Sequence, residues 1–67
     1  MSKTLGELFP LEQARVRDLL VQYRELGAAG TFGATIIEDV LRRADEAAVR
    51  GDAVAMLRLM QEMVNCE

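Results

Sequence analysis

The chain has no histidine and no tryptophan, and only one cysteine and one proline, among 67 residues. Each absence excludes something. Without histidine there is no imidazole general base and no serine or cysteine triad that depends on one. Cys66 stands alone, so no intrachain disulfide can form, and one thiol without histidine cannot build a zinc site. Ser2 is the only serine. No apolar run reaches the 18 or more residues of a transmembrane helix. The opening "MSKTLGELFP" lacks an apolar signal core, so the expected location is the cytoplasm in which the chain is made. Basic charge is also scarce. The net charge is −3 and the pI about 4.8, which opposes binding to a phosphate backbone.

Apolar residues are abundant, at 51% of the chain. A single domain this short buries only about 60% of its unfolded surface. Ordering it costs on the order of 100 kcal/mol, and burying roughly 4,000 Å² of apolar area returns about the same. Small domains escape this balance through disulfides, metals or oligomerisation. The first two are closed here, so self-association is expected. Arginine supplies all the basic residues except Lys3. It suits interface ion pairs better than lysine does, although GC-rich coding would give the same bias.

Spacing predicts an all-α fold of three short helices in one domain, residues 1–67. "TLGE", Thr4 to Glu7, fits a capping box that starts a short turn. Pro10 interrupts that turn and fits the first position of a longer helix, about 10–26. Val16, Leu19, Leu20, Tyr23 and Leu26 form its apolar stripe, with Arg15, Asp18, Gln22 and Glu25 opposite. Gly27 takes the position just past its end. "GAAGTFG" (27–33) reads as the longest irregular stretch. Thr31 is a candidate cap and Phe32 a plug on the helix ends.

The second helix is expected at about 32–50. Ile37, Val40, Leu41, Ala44, Ala47 and Ala48 face inward, and Glu38–Arg42 and Asp39–Arg43 form i, i+4 pairs. In "RGD" (50–52), Gly51 takes the left-handed position and Asp52 caps the third helix, about 52–65. So short a link predicts an antiparallel hairpin of helices 2 and 3. The tripeptide matches an integrin motif in letters only; the turn chemistry explains it fully.

The third helix is apolar on almost every side. Ala53, Met56, Leu57, Met60, Met63 and Val64 make one stripe, and Val54, Ala55 and Leu59 lie outside it. Such a helix packs against something on more than one side. A two-fold homodimer, forming a helical bundle, is the simplest object that achieves this.

The chemistry-bearing inventory points away from an enzyme and from any cofactor or metal. The carboxylates fall on wet helix faces beside arginines. The glycines of 27–33 follow no strand and precede no lysine, so they match no phosphate loop. A DNA-recognition helix needs basic and polar side chains. Helix 3 offers Met and Leu, while helix 2 interleaves Arg42, Arg43 and Arg50 with Glu38, Asp39, Asp45, Glu46 and Asp52. Nucleic acid and membrane are therefore not expected partners. Protein binding remains, and methionine-rich surfaces adapt to more than one partner. The expected interface residues, toward a partner or a second copy, are Tyr23, Met56, Leu59, Met60 and Met63. Arg42 and Arg43 are expected as a charged rim. A small DNA-binding or antitoxin-like regulator is the alternative, and an assembly factor a third reading.

The segments "LGELFPLEQARVRDLLVQYRELG", "AGTFGAT" and "IEDVLRRADEA" resemble a family of very small early proteins of Mu-like Pseudomonas phages. The similarity runs over nearly the whole chain and weakens after about residue 48. The family's best-known member is an anti-quorum-sensing anti-activator. The resemblance implies an all-helical, dimeric protein that binds a LuxR-type quorum-sensing activator, LasR, and keeps it from DNA. It also implies binding to PilB, the ATPase that assembles type IV pili. Both would be inhibited by occlusion, in the cytoplasm of the host bacterium.

Overall fold

A computed structural model describes residues 4–67. It is all-helical: α1 (Leu5–Glu25), a short 3₁₀ turn (Gly27–Gly30), α2 (Thr31–Arg50) and α3 (Ala53–Val64). No strand occurs among the described residues.

α1 begins five residues before the expected start. Thr4 is its cap, and the Thr4 hydroxyl accepts the Glu7 N–H at 3.3 Å. The Glu7 carboxylate in turn accepts from the Thr4 hydroxyl at 3.3 Å. Pro10 lies inside the helix. Its ring nitrogen cannot donate to the carbonyl of Gly6, four residues back. The helix continues because buried Phe9, Gln13 and Val16 hold this turn against the core. Packing here outweighs the local cost of proline.

At the other end Leu26 is the cap and Gly27 adopts φ 63° in the left-handed region. The expected irregular loop is mostly helical. The 3₁₀ turn runs straight into α2, and Gly30, not Thr31, stands at its cap. Thr31 is already helical, and its hydroxyl donates back to the Gly27 carbonyl at 3.2 Å. Gly51 (φ 64°) and Asp52 alone join α2 to α3. The Asp52 carboxylate accepts the Ala55 N–H at 3.1 Å, as its capping role requires.

The core sits where the three helices meet. α1 contributes Phe9, Val16 and Leu20; α2 contributes Ala34, Ile37, Val40, Leu41, Ala44 and Ala47; α3 contributes Leu59 and Met63. Of the residues expected inward on the first two helices, Leu19 and Tyr23 are only partly buried against it, Leu26 is 62% exposed and Ala48 is exposed. Phe32 is not a plug but stands 80% exposed. The one buried polar side chain among the described residues, Gln13, donates to Asp45 at 2.8 Å.

Charged pairs tie the helices on two of the three outer sides. Arg17 meets Asp45 at 2.6 Å and Arg24 meets Glu38 at 3.4 Å across α1 and α2. Arg43 meets Glu62 at 2.8 Å across α2 and α3. Of the two expected i, i+4 pairs, Asp39–Arg43 forms at 3.0 Å. Glu38–Arg42 does not, because Glu38 turns to Arg24 while Arg42 takes Asp39 and Glu46.

Candidate protein-binding surface

Helix α3 decides which apolar side chains reach solvent. Its inward edge is centred on Leu59 and Met63, at 5% and 0% exposure. These two were expected at an interface with a partner or a second copy. They lie instead in the chain's own core, which α3 could not close without them. Met56 and Met60 are half-buried against that core. Leu57, Val54 and Val64 are the more exposed apolar residues of α3, at 58%, 62% and 53%.

Two anchors set this rotation. Arg43 of α2 holds Glu62 through both terminal guanidinium nitrogens, at 3.0 and 2.8 Å. Arg15 of α1 donates to the Met63 carbonyl at 2.6 Å and the Cys66 carbonyl at 3.2 Å. Arg15 thus adds a second donor to the Met63 carbonyl, which also accepts the Cys66 N–H at 3.0 Å, and a cation near the end of α3 suits the helix dipole. Glu12 holds Arg15 in place at 2.8 Å.

These anchors define a side where α1 and α3 lie together, away from the α2 pairings. On α1 it carries Leu8, Leu11, Arg15 and Leu19, at spacings of three and four. On α3 it carries Leu57, Met60 and Val64, at the same spacings. Leu8 and Leu11 are exposed and Leu19 half-buried. No side-chain ion pair joins α1 to α3 among the described residues.

A second apolar patch caps the end of the molecule around the 3₁₀ turn. Leu26, Phe32 and Ile36 are exposed there. Beside them Tyr23 is half-buried, and its hydroxyl donates to the Glu67 carbonyl. Tyr23, Gly33, Ile36, Ile37 and the 65–67 segment line a cleft of about 300 Å³. Tyr23 was expected at an interface; it sits at the rim of this end patch.

The expected charged rim, Arg42 and Arg43, lines a groove of about 450 Å³ between α2 and α3. Both guanidiniums are already engaged within the chain, by Asp39, Glu46 and Glu62. Their hydrogen bonds pull the Asp39 carboxyl below its usual value. Arg50 and Arg58, in the same groove, carry no ion pair among the described residues. Sequence reasoning singled out the pair that is internally neutralised. Residue spacing showed the carboxylates beside Arg42 and Arg43, but not the contact with Glu62 from α3.

Among the described residues no group of three or more His, Cys, Asp or Glu is placed to hold a metal. No helix among them is long and apolar enough to cross a membrane. Burial pushes the Cys66 thiol up, and its Sγ donates to the Glu62 carbonyl at 3.4 Å. No family model, curated protein or solved structure matches the chain.

Proposed function

We propose that this chain is a phage-encoded host-takeover protein that acts by binding and occluding host proteins. The leading target is a LuxR-type quorum-sensing activator, LasR-like, and a second is the pilus assembly ATPase, PilB-like. The site of action would be the host cytoplasm. The observation that carries the binding role is the amount of apolar surface left outside so small a core: Leu11, Leu26, Phe32, Leu57 and Val64 are each more than half exposed. Scattered exposed apolar residues are ordinary, but contiguous ones mark interaction surfaces. The targets themselves come from the family resemblance.

The mechanism would be steric. A rigid module, with α2 and α3 as an antiparallel hairpin braced by Arg43–Glu62, covers a surface its target needs for dimerisation, DNA contact or subunit contact. The end patch around Phe32 suits this role, because Phe32 is 80% exposed and Ile36 lines the cleft that holds Tyr23. The DNA-binding alternative is less well supported. Arg42 and Arg43 of α2 are held by carboxylates and are not free for phosphates.

The test is co-purification of the untagged chain with a tagged LasR-like regulator and, separately, with a PilB-like ATPase. A stoichiometric complex with either, weakened by Phe32→Asp, is the expected result. No complex with either protein would overturn the target assignment. A salt-sensitive shift of duplex DNA at low ionic strength would favour the alternative.

A further inference from the structure

We propose that the groove between α2 and α3 binds an acidic, partly apolar segment of another protein through Arg50 and Arg58. This surface is distinct from the end patch around Phe32, and the assignment holds whichever host protein the end patch binds.

Five of the chain's arginines, Arg15, Arg17, Arg24, Arg42 and Arg43, each meet a carboxylate. Arg50 and Arg58 meet none among the described residues, and both are exposed. The two line the same groove of about 450 Å³, a volume in the range of ligand-binding clefts. Positions 42, 46 and 50 recur every four residues along α2, and 54, 58 and 62 do so along α3. Each set therefore lies on one helix face, and the two faces form the walls.

The carboxylates of this groove are already committed. Glu46 takes Arg42 and Glu62 takes Arg43. Asp52 accepts the Ala55 N–H as the cap of α3. Two cations are left without a counter-charge in a chain whose net charge is −3. An incoming carboxylate can join Arg50 and Arg58 without displacing any existing pair. Guanidinium suits this task, being weakly hydrated and able to fork onto both oxygens.

Apolar groups flank the two cations. Val49 is 88% exposed and Val54 62%. Val49 lines a second cleft, of about 380 Å³, that shares Glu46 and Arg50 with the first. A ligand that fills both clefts needs carboxylates and apolar side chains together, which is the chemistry of an acidic amphipathic segment. Nucleic acid fits less well. A phosphate backbone needs an extended basic face, whereas Asp45, Glu46 and Glu62 line these clefts and would repel a continuous run of phosphates. A peptide can place isolated carboxylates between them. Arg50 also lies in the last turn of α2, where a cation suits the helix dipole. Arg58, in the middle of α3, has no such local role and is the decisive position.

The experiment is fluorescence anisotropy of the full chain with a labelled glutamate–leucine peptide of about twelve residues, roughly 18 Å long as a helix. A glutamine–leucine peptide and a short DNA duplex serve as comparisons. Wild type is set against Arg50→Glu, Arg58→Glu and Arg24→Glu, with circular dichroism to check the fold. Arg24→Glu makes the same change of net charge outside the groove. The acidic peptide is expected to bind the wild type with a Kd below about 500 µM. Arg50→Glu and Arg58→Glu should each weaken it about tenfold, and Arg24→Glu by no more than about twofold at physiological salt. The glutamine peptide should not bind. Failure of the folded wild type to bind the acidic peptide would overturn the proposal. So would an equal loss in Arg24→Glu, equal binding of the glutamine peptide, or a preference for the duplex that Arg58→Glu abolishes. Sedimentation equilibrium supplies the last check: a change of solution mass in Arg58→Glu would assign the groove to a second copy and overturn it equally.

Discussion

The ring of Tyr23 occupies the space that a side chain at Gly33 would need. A Cβ built on Gly33 would fall inside van der Waals contact of the ring's Cε2 and Cδ2. A Cβ on Gly30 would collide with the Tyr23 backbone carbonyl. The end of α1 thus rests directly on the start of α2, and these two glycines allow it. A mid-helix glycine normally costs about 1 kcal/mol relative to alanine. Here the sign should reverse. Gly33→Ala is expected to destabilise by about 1–3 kcal/mol, the range for overpacking, and Gly30→Ala by more, since a backbone carbonyl cannot swing aside. Urea unfolding would measure both, and a stabilised Gly33→Ala would contradict this close approach of Tyr23.

Leu59 and its near neighbour Val54 should respond very differently to truncation. Leu59 is 5% exposed and Val54 62%. Leu59→Ala removes buried methyl groups and is expected to cost about 2–5 kcal/mol. Val54→Ala should change stability by no more than about 0.5 kcal/mol. Equal effects would mean that α3 does not turn its Leu59 edge into the core.

Pro10 sits at an exposed position inside α1. Pro10→Ala restores a donor to the Gly6 carbonyl and removes the ring's clash with that turn. An increase of about 1–3 kcal/mol is expected, read as a higher midpoint in thermal or urea unfolding. A loss of stability would mean that the ring makes a contact which the helix needs.

Acid should weaken the α2 surface network. Hydrogen bonds from Arg42 and then Arg43 hold the Asp39 carboxyl below its usual value. A lowered folded value means the stabilisation is present above the ordinary carboxylate range and is lost as pH falls through the lowered value. Asp39→Asn should therefore lower the melting temperature near neutral pH and flatten its fall below about pH 4. A parallel curve, shifted but equally steep, would show that other carboxylates carry the acid sensitivity.

Cys66 should be a sluggish nucleophile in the folded chain. Burial raises its pKa, Arg15 only partly opposes this, and the thiol donates to the Glu62 carbonyl. Alkylation by iodoacetamide at mildly alkaline pH is expected to be slow in the native protein and to accelerate on unfolding. Equal rates in both states would contradict the placement of the thiol.

Much of this architecture was legible in the order of residues. Ile37, Val40, Leu41, Ala44 and Ala47 recur at helical spacing, and they are the inward face of α2 because the alternating positions carry charge. Gly27 and Gly51 read as helix ends because left-handed backbone is cheap only for glycine. Asp52 read as a cap for equally local reasons. The start of α1 misled, because proline's preference for a first helical position is weak beside the burial of Phe9.

The candidate surface was less legible. The sequence by itself determined that α3 has more apolar surface than one neighbour can cover, and that charge is concentrated on α2. It could not select the side of α3 that turns inward, since a helix apolar all round has no periodic contrast to orient it. Only the tertiary structure decided that. Arg43 grips Glu62 from one neighbour and Arg15 grips the last carbonyls from the other, and between them they bury Leu59 and Met63 and turn Leu57 and Val64 outward. Those contacts join residues 19 to 51 positions apart, beyond the reach of any local pattern.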